Sequence, residues 1–439
     1  MTGVSAREQL IDLYGAAVAG ANVEALTANA VATVPLERRH RVWVFAFGKA
    51  AHVMANATVA TLHRSLAEVA GGVVVAPQEG EAPAGTMNVL VGDHPIPGRR
   101  SFTAAARIGQ IVAQKRGSDL GIVLLSGGAS SLIAAPLRGL SEADLSQLYE
   151  LLLGAGLDIH QMNAIRKRFS YWAAGRMALT LAPARTYCFA VSDVTGDDLA
   201  TIGSGPVVPD PTRIQQVIDL LHGAQLYGKI SSSFRQYLVD TARGAIPETP
   251  KSSHPAFAHV DARVVANNSA ALSAAATAAR RQGLNPIVRD QPLVGDAATA
   301  GARVVEALLL IRERAERGST HCCIWGGETT VALRGPAPAG GRCQELALAA
   351  SKQLADAGER GEGITLLAAG TDGRDGTTNA AGAVVDAATW RTIDKMGRDA
   401  AGALRNHESY DALSAADALF SPGLTGTNVM DVTIGLVRA

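Results

Sequence analysis

The sequence has little that would place the protein in a membrane, outside the cell or on nucleic acid. Its four cysteines have neither disulfide-scaffold nor zinc spacing. No run approaches the roughly 18 apolar residues that a membrane span needs, and "MTGVSAREQLIDLYGAAVAG" is a charged amphipathic pattern, unlike a signal peptide. Lys+Arg and Asp+Glu both number 40, so no net charge favours nucleic acid or anionic lipid. We therefore expect a cytoplasmic globular protein with no nucleic-acid or membrane partner; a homo-oligomer is compatible with the sequence.

Two common nucleotide-binding motifs are also absent. The chain contains neither a G-x-x-x-x-G-K-[ST] P-loop nor a G-x-G-x-x-G, and the second absence argues against a classical dinucleotide site. Length and composition predict the number of domains and the size of their cores. The 439 residues exceed what one core usually organises, and 47% of them are hydrophobic. We expect two domains.

Short apolar runs alternate with helical patterns along the chain. Buried strands separated by helices predict an α/β fold in which both domains have mainly parallel sheets. The Pro-, Ser- and charge-rich stretch 242–261 is interpreted as a linker between an N-terminal domain, 1–241, and a C-terminal domain, 262–439. A hairpin is one interpretation of Gly326-Gly327-Glu328. The predicted strands are 41–47, 71–77, 87–92, 121–126, 186–193, 262–267, 321–326, 329–335, 364–370 and 381–386; the predicted helices include 49–65, 101–115, 142–155 and 160–180.

Glycine-rich turns that carry charged or hydroxyl side chains follow five of these strands. In open α/β sheets, ligands bind beyond the carboxyl ends of the strands, so these turns are candidates for a common site. One such turn alone is usually only a turn, but five with charges are hard to attribute to turn chemistry. They are Gly48-Lys49, Ser126–Ser131, Ser192–Asp198, Gly326–Glu328 and Gly370–Gly376.

Two of the turns are candidates for holding phosphate. The bare turn after 121–125 either binds an anion through its backbone N–H groups or is a tight crossover, and the residues alone favour neither interpretation. Lys49 is either a solvated surface lysine or a cation for phosphate; its small and apolar surroundings favour the second role. The candidate phosphate-binding residues of the turn are Ser126, Gly127, Gly128, Ala129, Ser130 and Ser131.

The stretch 160–176 is predicted to be an amphipathic helix. Met162, Ile165, Phe169 and Trp172 form its apolar face. Its polar face is either solvated or suited to a hydroxy acid or phosphate. The polar residues are Asn163, Arg166, Lys167 and Ser170.

Carboxylates and one arginine complete the candidate set. Asp193, Asp197 and Asp198 lie so close in sequence that a cation or a donor must separate them, although Asp197 could also cap a helix. Asp372 and Asp375 suit either Mg²⁺ with retained waters or a turn.

Arg342 begins a helix, where Glu345 could support the cap; an anionic ligand explains the arginine better. His94 could be a general base beside an aspartate, but a satisfied loop histidine is the favoured interpretation. This inventory predicts a nucleotide-dependent enzyme acting on a small polar acceptor.

Eight strings stand in this order along the chain: "FGKAAHVM", "SGGASSLIAAP", "MNAIRKRFS", "SDVTGDDLATIGSGPVVPDPT", "WGGETTVALRG", "GGRCQELAL", "GTDGRDGTTNAAGAVVD" and "TGTNVMD". Taken in order, they resemble the class II glycerate kinases, the glycerate 2-kinase family with a C-terminal MOFRL domain. The resemblance covers about residues 45–431 and implies two α/β domains around a deep interdomain cleft, with ATP, Mg²⁺ and phosphorylation of D-glycerate to 2-phosphoglycerate.

The resemblance also assigns roles and reveals departures. It places the family's lysine and arginine on Lys49 and Arg342. We expect one of two roles for Asp193: it binds Mg²⁺ together with Asp197, or it accepts the hydroxyl proton. We expect Arg342 either to neutralise the phosphoryl group or to bind the glycerate carboxylate. Substrate contacts are also expected from Asn163, Arg166, Lys167, Glu328, Glu345, Asp372 and Asp375. The chain departs from the family pattern at Ala129, Ser131, Cys343, Asn379 and Met430.

Two other functions stay open from the sequence. A hydroxypyruvate reductase is one, although the absent dinucleotide fingerprint argues against it. A non-catalytic hydroxy-acid-binding protein is the other, and it would not need so many carboxylates beside an anion site.

Overall fold

The computed structural model describes residues 4–37, 40–333 and 338–439. In this part of the chain, no helix is long and apolar enough to cross a membrane. The strands are β1 Arg41–Phe47, β2 Glu68–Ala76, β3 Met87–Val91, β4 Leu120–Leu125, β5 Thr186–Val191, β6 Val260–Ala266, β7 Asn285–Val288, β8 Leu293–Asp296, β9 Thr320–Thr330, β10 Ile364–Gly370, β11 Gly382–Asp386, β12 Leu419–Phe420 and β13 Asp431–Arg438. The helices are α1 Ala6–Gly20, α2 Val23–Ala32, α3 Ala51–Arg64, α4 Arg99–Val112, α5 Ala129–Leu132, α6 Glu142–Leu153, α7 Ile159–Phe169, α8 Arg176–Leu181, α9 Ile214–Gly223, α10 Ser232–Ala242, α11 Asn268–Arg281, α12 Ala297–Arg314, α13 Arg342–Asp356, α14 Thr389–Lys395, α15 Ala400–Arg405 and α16 Ser409–Ala415.

The chain folds into two compact units, and their boundaries differ from the predicted ones. The continuous unit is Val23–Ala266, and the segmented unit combines Met1–Asn22 with Asn267–Ala439. α1 belongs to the segmented unit because Tyr14 is buried there and its hydroxyl donates to the carbonyl of Gly370, 2.7 Å away. The stretch 242–261 is not a linker between the units: it lies within the continuous unit and leads into β6, which pairs with β5.

The sheet of the continuous unit confirms the prediction of a parallel α/β fold. Its strand order is β3-β2-β1-β4-β5-β6, and all five pairings are parallel. β4 and β5 are buried along their whole length, as expected for strands that are covered on both faces. Phe45 and Phe47 of β1 are fully buried. Truncating either to alanine should cost about 3–5 kcal/mol.

The sheet of the segmented unit is mainly antiparallel, so the prediction of a second mainly parallel sheet is wrong. Its order is β12-β11-β10-β13-β9-β7, with β8 also paired to β9. Only β7 and β8 run parallel to β9. β10 and β11 are antiparallel neighbours, and residues 371–381, which join them, form no helix. A parallel pair would need a crossover connection, usually a helix, between the two strands.

The predicted hairpin at Gly326–Glu328 is also wrong. β9 continues without reversal from Thr320 to Thr330, because it pairs with β13 as far as Gly327 and with β8 from Gly327 onward. Residues 334 and 335 of the predicted strand 329–335 lie outside the described residues.

The predicted helix 160–180 is interrupted. α7 begins with a capping box between Asp158 and Gln161 and ends at Phe169, since Ser170 is extended (φ −107°, ψ 131°). The Arg176 guanidinium, from α8, donates to the carbonyls of Lys167 (2.9 Å) and Ser170 (3.0 Å). It therefore satisfies carbonyls at the end of α7 that have no helical partner.

Candidate active site

Three predicted residues or turns follow adjacent strands of the continuous unit at the same sheet edge. Lys49 follows β1, Ser126–Ser131 follow β4 and Asp193 follows β5. In the order β3-β2-β1-β4-β5-β6, the connections change direction between β1 and β4. Ligands bind at such a switch point in open α/β sheets, so the topology supports the predicted location.

The turn after β4 is tied to the turn after β1 by hydrogen bonds. The Lys49 backbone N–H donates to the carbonyl of Gly127 (2.9 Å), and the Ala50 N–H donates to the Ser126 hydroxyl (3.0 Å). The Ser126 hydroxyl therefore holds the two turns together. Lys49 itself is exposed, so its ammonium group can meet a ligand.

Two glycines let side chains from other loops lie directly on this turn. A Cβ at Gly127 would be 1.9 Å from Asp193 Oδ2. A Cβ at Gly128, where φ is +86°, would be 2.9 Å from His94 Cδ2 and 3.7 Å from Lys49 Cγ. Both positions thus require glycine, and Asp193 and His94 are brought to successive residues of the same turn.

The other side chains of the turn are engaged within the protein. Ala129 is fully buried. The Ser130 hydroxyl lies 2.7 Å from that of Ser204, and the Ser131 hydroxyl donates to the carbonyl of Gly128 (3.1 Å). α5, which starts here, has only four residues. These side chains support the turn, which leaves the Lys49 ammonium and the backbone of Gly127 and Gly128 as its candidates for contact with a ligand.

Asp193 is the carboxylate that faces the turn. Burial raises its pKa, and the nearby Lys49 ammonium partly opposes that shift. Asp197 is half-buried in the left-handed region (φ +54°). Asp198 accepts from the Ala200 N–H and the Thr201 hydroxyl, 3.0 and 2.6 Å away, so it stabilises its own loop.

The described residues contain no group of three His, Cys, Asp or Glu side chains that could hold a metal ion. One or two carboxylates are nevertheless sufficient for Mg²⁺ when waters and nucleotide phosphates supply the remaining oxygens. Asp193 and Asp197 provide oxygen ligands of the required type, so their chemistry fits a magnesium ion.

α7 brings three predicted residues into buried positions, and they differ in how well they are satisfied. The Asn163 amide donates to the carbonyl of Thr201 (3.0 Å), while its Oδ1 has no hydrogen-bond partner. Lys167 donates to the carbonyl of Ala200 (3.0 Å) and pairs with Asp210 at 3.2 Å. Lys167 is thus committed to the fold, and the structure does not support it as a substrate-binding cation.

Arg166 is the contrasting case. Its side chain is only 7% exposed, and its guanidinium stacks over the Tyr149 ring at 4.6 Å. Within the described part of the chain, its Nε and Nη2 make no hydrogen bond. Burial lowers its pKa, and its charge also acts on His94. A buried guanidinium with unmet donors is costly in the free protein. An anionic ligand would satisfy it.

In the segmented unit, Arg342 begins α13 as predicted but already has carboxylate partners. Its Nε and Nη2 donate to the two oxygens of Asp431, at 2.6 and 2.8 Å, and its Nη1 lies 3.1 Å from Glu328. Asp431 holds the pKa of Arg342 above its usual range despite burial. Glu328 therefore contacts Arg342; ligand contact by either residue stays a prediction.

The remaining predicted acids of the segmented unit support local structure. Asp375 is 3% exposed and accepts from the Gln344 N–H (2.9 Å), which caps α13 because Gly341 has no capping side chain. Glu345 is buried and lies 2.8 Å from His407 Nδ1, so it does not close a capping box. Asp372 accepts from the backbone of Arg374 (3.0 Å).

The comparisons with known proteins identify the family. Residues 9–239 match a model described as a domain of unknown function, DUF4147, and residues 321–431 match the MOFRL family. A glycerate 2-kinase of Pyrococcus horikoshii is 33% identical over 452 residues, covering 100% of this chain and 99% of the relative. The chain belongs to the glycerate 2-kinase family. A crystal structure of glycerate kinase from Thermotoga maritima is 32% identical with a TM-score of 0.84, covering 98% of this chain and 99% of the other.

A protein of Agrobacterium vitis, provisionally named a hydroxypyruvate reductase, is 34% identical over 99% of this chain and 95% of its own length. Its similarity extends over the same length as that of the Pyrococcus glycerate 2-kinase, so the two names describe relatives within one family.

The departures from the glycerate 2-kinase family pattern lie in structurally different places. Cys343 and Met430 are buried. Asn379 is exposed and accepts from the Tyr410 hydroxyl at 2.9 Å. Ala129 and Ser131 are also buried, so neither side chain projects into solvent from the turn.

Sequence reasoning set aside or missed two residues of this glycerate 2-kinase family member. His94, which was favoured as a satisfied loop histidine, lies against Gly128. Its Asp93 neighbour does not orient it, because Asp93 pairs with Arg100 at 2.7 Å. The rule that ligands bind beyond strand ends would have found His94, which follows β3. Asp431, the partner of Arg342, ends the string "TGTNVMD", which carried the family resemblance but gave this aspartate no role.

Proposed function

We propose that this chain is an ATP-dependent glycerate 2-kinase, which phosphorylates the 2-hydroxyl of D-glycerate and yields 2-phosphoglycerate and ADP. The observation that carries the proposal is similarity along the whole chain to a glycerate 2-kinase. The continuous unit adds physical support, because an exposed lysine and a carboxylate lie at the switch point of its sheet. A buried arginine with two unmet donors stacks on Tyr149, whose hydroxyl donates to the carbonyl of Ser130 in the same turn. We also retain the expectation of a cytoplasmic location, which cell fractionation tests.

Each group has a task in this reaction. Lys49 and the backbone of Gly127 and Gly128 bind phosphate oxygens, where a compact cation and N–H donors suit spread negative charge. Arg166 binds the glycerate carboxylate, which supplies the acceptors that its Nε and Nη2 lack. Arg342 is retained as a candidate cation for an anionic group of the substrates.

Phosphoryl transfer forms a bond between the 2-hydroxyl oxygen and the terminal phosphorus while the bond to the ADP oxygen breaks. The hydroxyl proton passes to Asp193, whose raised pKa makes it a better base than an ordinary surface aspartate. In the alternative role, Asp193 would hold Mg²⁺ together with Asp197, and the ion would supply charge neutralisation to the nucleotide phosphates; a metal-bound Asp193 would not accept the proton.

The decisive experiment measures two reactions of the purified protein. We expect ADP release that depends on D-glycerate and ATP, and no oxidation of NADH with hydroxypyruvate. Phosphorus NMR should identify 2-phosphoglycerate as the first product. NADH oxidation without ADP release would establish the reductase instead. Glycerate binding with neither reaction would indicate a binding protein, and 3-phosphoglycerate as the first product would refute the regiochemistry.

A further inference from the structure

His94 is a ligand-accessible group for which the reaction above has no role. It follows β3, whereas Asp193 follows β5, and the turn after β4 lies between these loops. The Asp193 carboxylate lies against Gly127 and the His94 ring against Gly128. A small substrate on the turn can therefore meet Asp193 with one group and His94 with another.

The His94 ring is held in place but not consumed by the fold. The preceding residue, Asp93, accepts a hydrogen bond from the backbone N–H of Arg100 (3.0 Å) and also pairs with the Arg100 guanidinium. These contacts fix the loop that carries His94. Among the described residues, the ring of His94 has no hydrogen-bond partner. It also lines a cavity of about 670 Å³ with Arg99, Ser146 and Glu150. Both ring nitrogens are thus available to a ligand.

The electrostatic surroundings keep this ring uncharged. Loss of water on the side facing the turn lowers the pKa of His94 to about 4, and the charges of Lys49 and Arg166 add to the shift. A neutral imidazole offers one donor and one acceptor, whereas lysine and arginine can only donate. A hydroxyl group, which both donates and accepts, is the substrate group that such a ring recognises best.

We propose that His94 determines substrate specificity by hydrogen-bonding the 3-hydroxyl of D-glycerate, the hydroxyl that does not react. This inference rests on the proposed kinase function. With the carboxylate on Arg166 and the 2-hydroxyl on Asp193, the 3-hydroxyl is the remaining polar group of the substrate. His94 then distinguishes glycerate from D-lactate, which carries a methyl group in its place.

The test compares kcat/KM for D-glycerate and D-lactate in wild type, His94→Ala and His94→Gln. We expect His94→Ala to lower the value for glycerate about tenfold, as for one lost hydrogen bond, and to leave D-lactate nearly unchanged. His94→Gln, which keeps a donor and an acceptor, should restore part of the preference. If D-lactate turns over too slowly, its inhibition constant replaces kcat/KM. His63→Ala, an exposed histidine on α3, is the matched control and should change neither value.

Two results would overturn the proposal. The first is an equal loss for both acids in His94→Ala and His94→Gln, which would make His94 a structural residue. The second is a change confined to the KM for ATP, which would place the ring on the nucleotide. A wild-type protein without glycerate-dependent ADP release would instead refute the kinase function, and that result is seen before any variant is made.

Discussion

Replacing Arg166 with methionine should separate activity from stability. Arg166 is buried on α7, and its Nε and Nη2 have no hydrogen-bond partner. If these donors await an anionic ligand, the free protein bears their cost. Arg166→Met keeps the length and apolar stem of the side chain while it removes the charge.

The structure sets the expected size of the effect. The two unmet buried donors together cost about 2–6 kcal/mol, whereas the stacking of the desolvated Arg166 on Tyr149 stabilises by about 2 kcal/mol or somewhat more. The variant should therefore melt at the wild-type temperature or a few degrees above it, at roughly 2–4 °C for each kcal/mol. Its kcat/KM for glycerate should fall by about a hundredfold, equivalent to roughly 3 kcal/mol of lost charge stabilisation.

Arg168 provides the matched control, two residues further along the same helix. It is fully buried, but it pairs with Glu248 and lies 3.8 Å from Asp210. Arg168→Met breaks the ion pair with Glu248, while Asp210 keeps Lys167 and Glu248 keeps Lys251, so the variant should be destabilised by about 1–3 kcal/mol. Two buried arginines on one helix thus have opposite predicted effects on stability.

The assay combines thermal melts by circular dichroism with steady-state ADP release. Added D-glycerate should raise the melting temperature of wild type more than that of Arg166→Met, because a ligand that binds only the folded state stabilises it. An Arg166→Met protein that melts far below wild type while its folded fraction keeps full turnover would refute the reasoning. Arg166 would then be a structural residue.

Four further predictions concern other charged groups. Lys49→Ala should abolish most turnover with an unchanged circular dichroism spectrum; near-normal turnover would make Lys49 a surface residue. EDTA should abolish activity and Mg²⁺ restore it, and Asp193→Asn should lower kcat strongly; full activity in EDTA would exclude the magnesium assignment. Burial raises the pKa of Asp375 to about 6, so the protonated carboxyl group stabilises the fold fully below about pH 4. This stabilisation, roughly 3 kcal/mol in all, is lost as the pH rises through 6. Asp375→Asn should therefore flatten the dependence of melting temperature on pH between 4 and 8, and an unchanged slope would contradict the shift. Arg342→Lys, which loses the bidentate pair with Asp431, should lower kcat/KM about a hundredfold and Arg342→Ala more, and wild-type kinetics in both would remove Arg342 from the site.

The sequence was most informative where structure follows from local pattern. β1 and β10 have the predicted bounds, and the rule about strand ends located Lys49, the turn after β4 and Asp193 at adjacent strands. These features depend on hydrophobic runs and glycine-rich turns that are continuous in the chain. The parallel sheet of the continuous unit followed from the same pattern.

Other features depend on pairing between distant segments, which no local pattern encodes. β13 is central to the second sheet, yet its neighbours β9 and β10 precede it by many residues, and the antiparallel arrangement depends on those partners. α1 packs in the segmented unit, where Tyr14 meets Gly370. A domain boundary inferred from composition alone therefore missed both the early helix and β6.

Charge pairing explains why the sequence could list the cations of the site without ranking them. Lys167 and Arg166 are neighbours on one helix, and both are buried. Asp210 satisfies Lys167, whereas Arg166 has two unmet donors. Arg342 is an intermediate case, since Asp431 occupies its fork while the pair stays partly exposed. A ligand gains the most binding free energy from a cation that is already buried in the free protein and whose hydrogen-bond donors have no partner there, because its desolvation cost is then not incurred again on binding. On that ground Arg166 is the strongest candidate for the carboxylate of the substrate. Arg342 can serve an anion only if Asp431 shares or yields its hydrogen bonds.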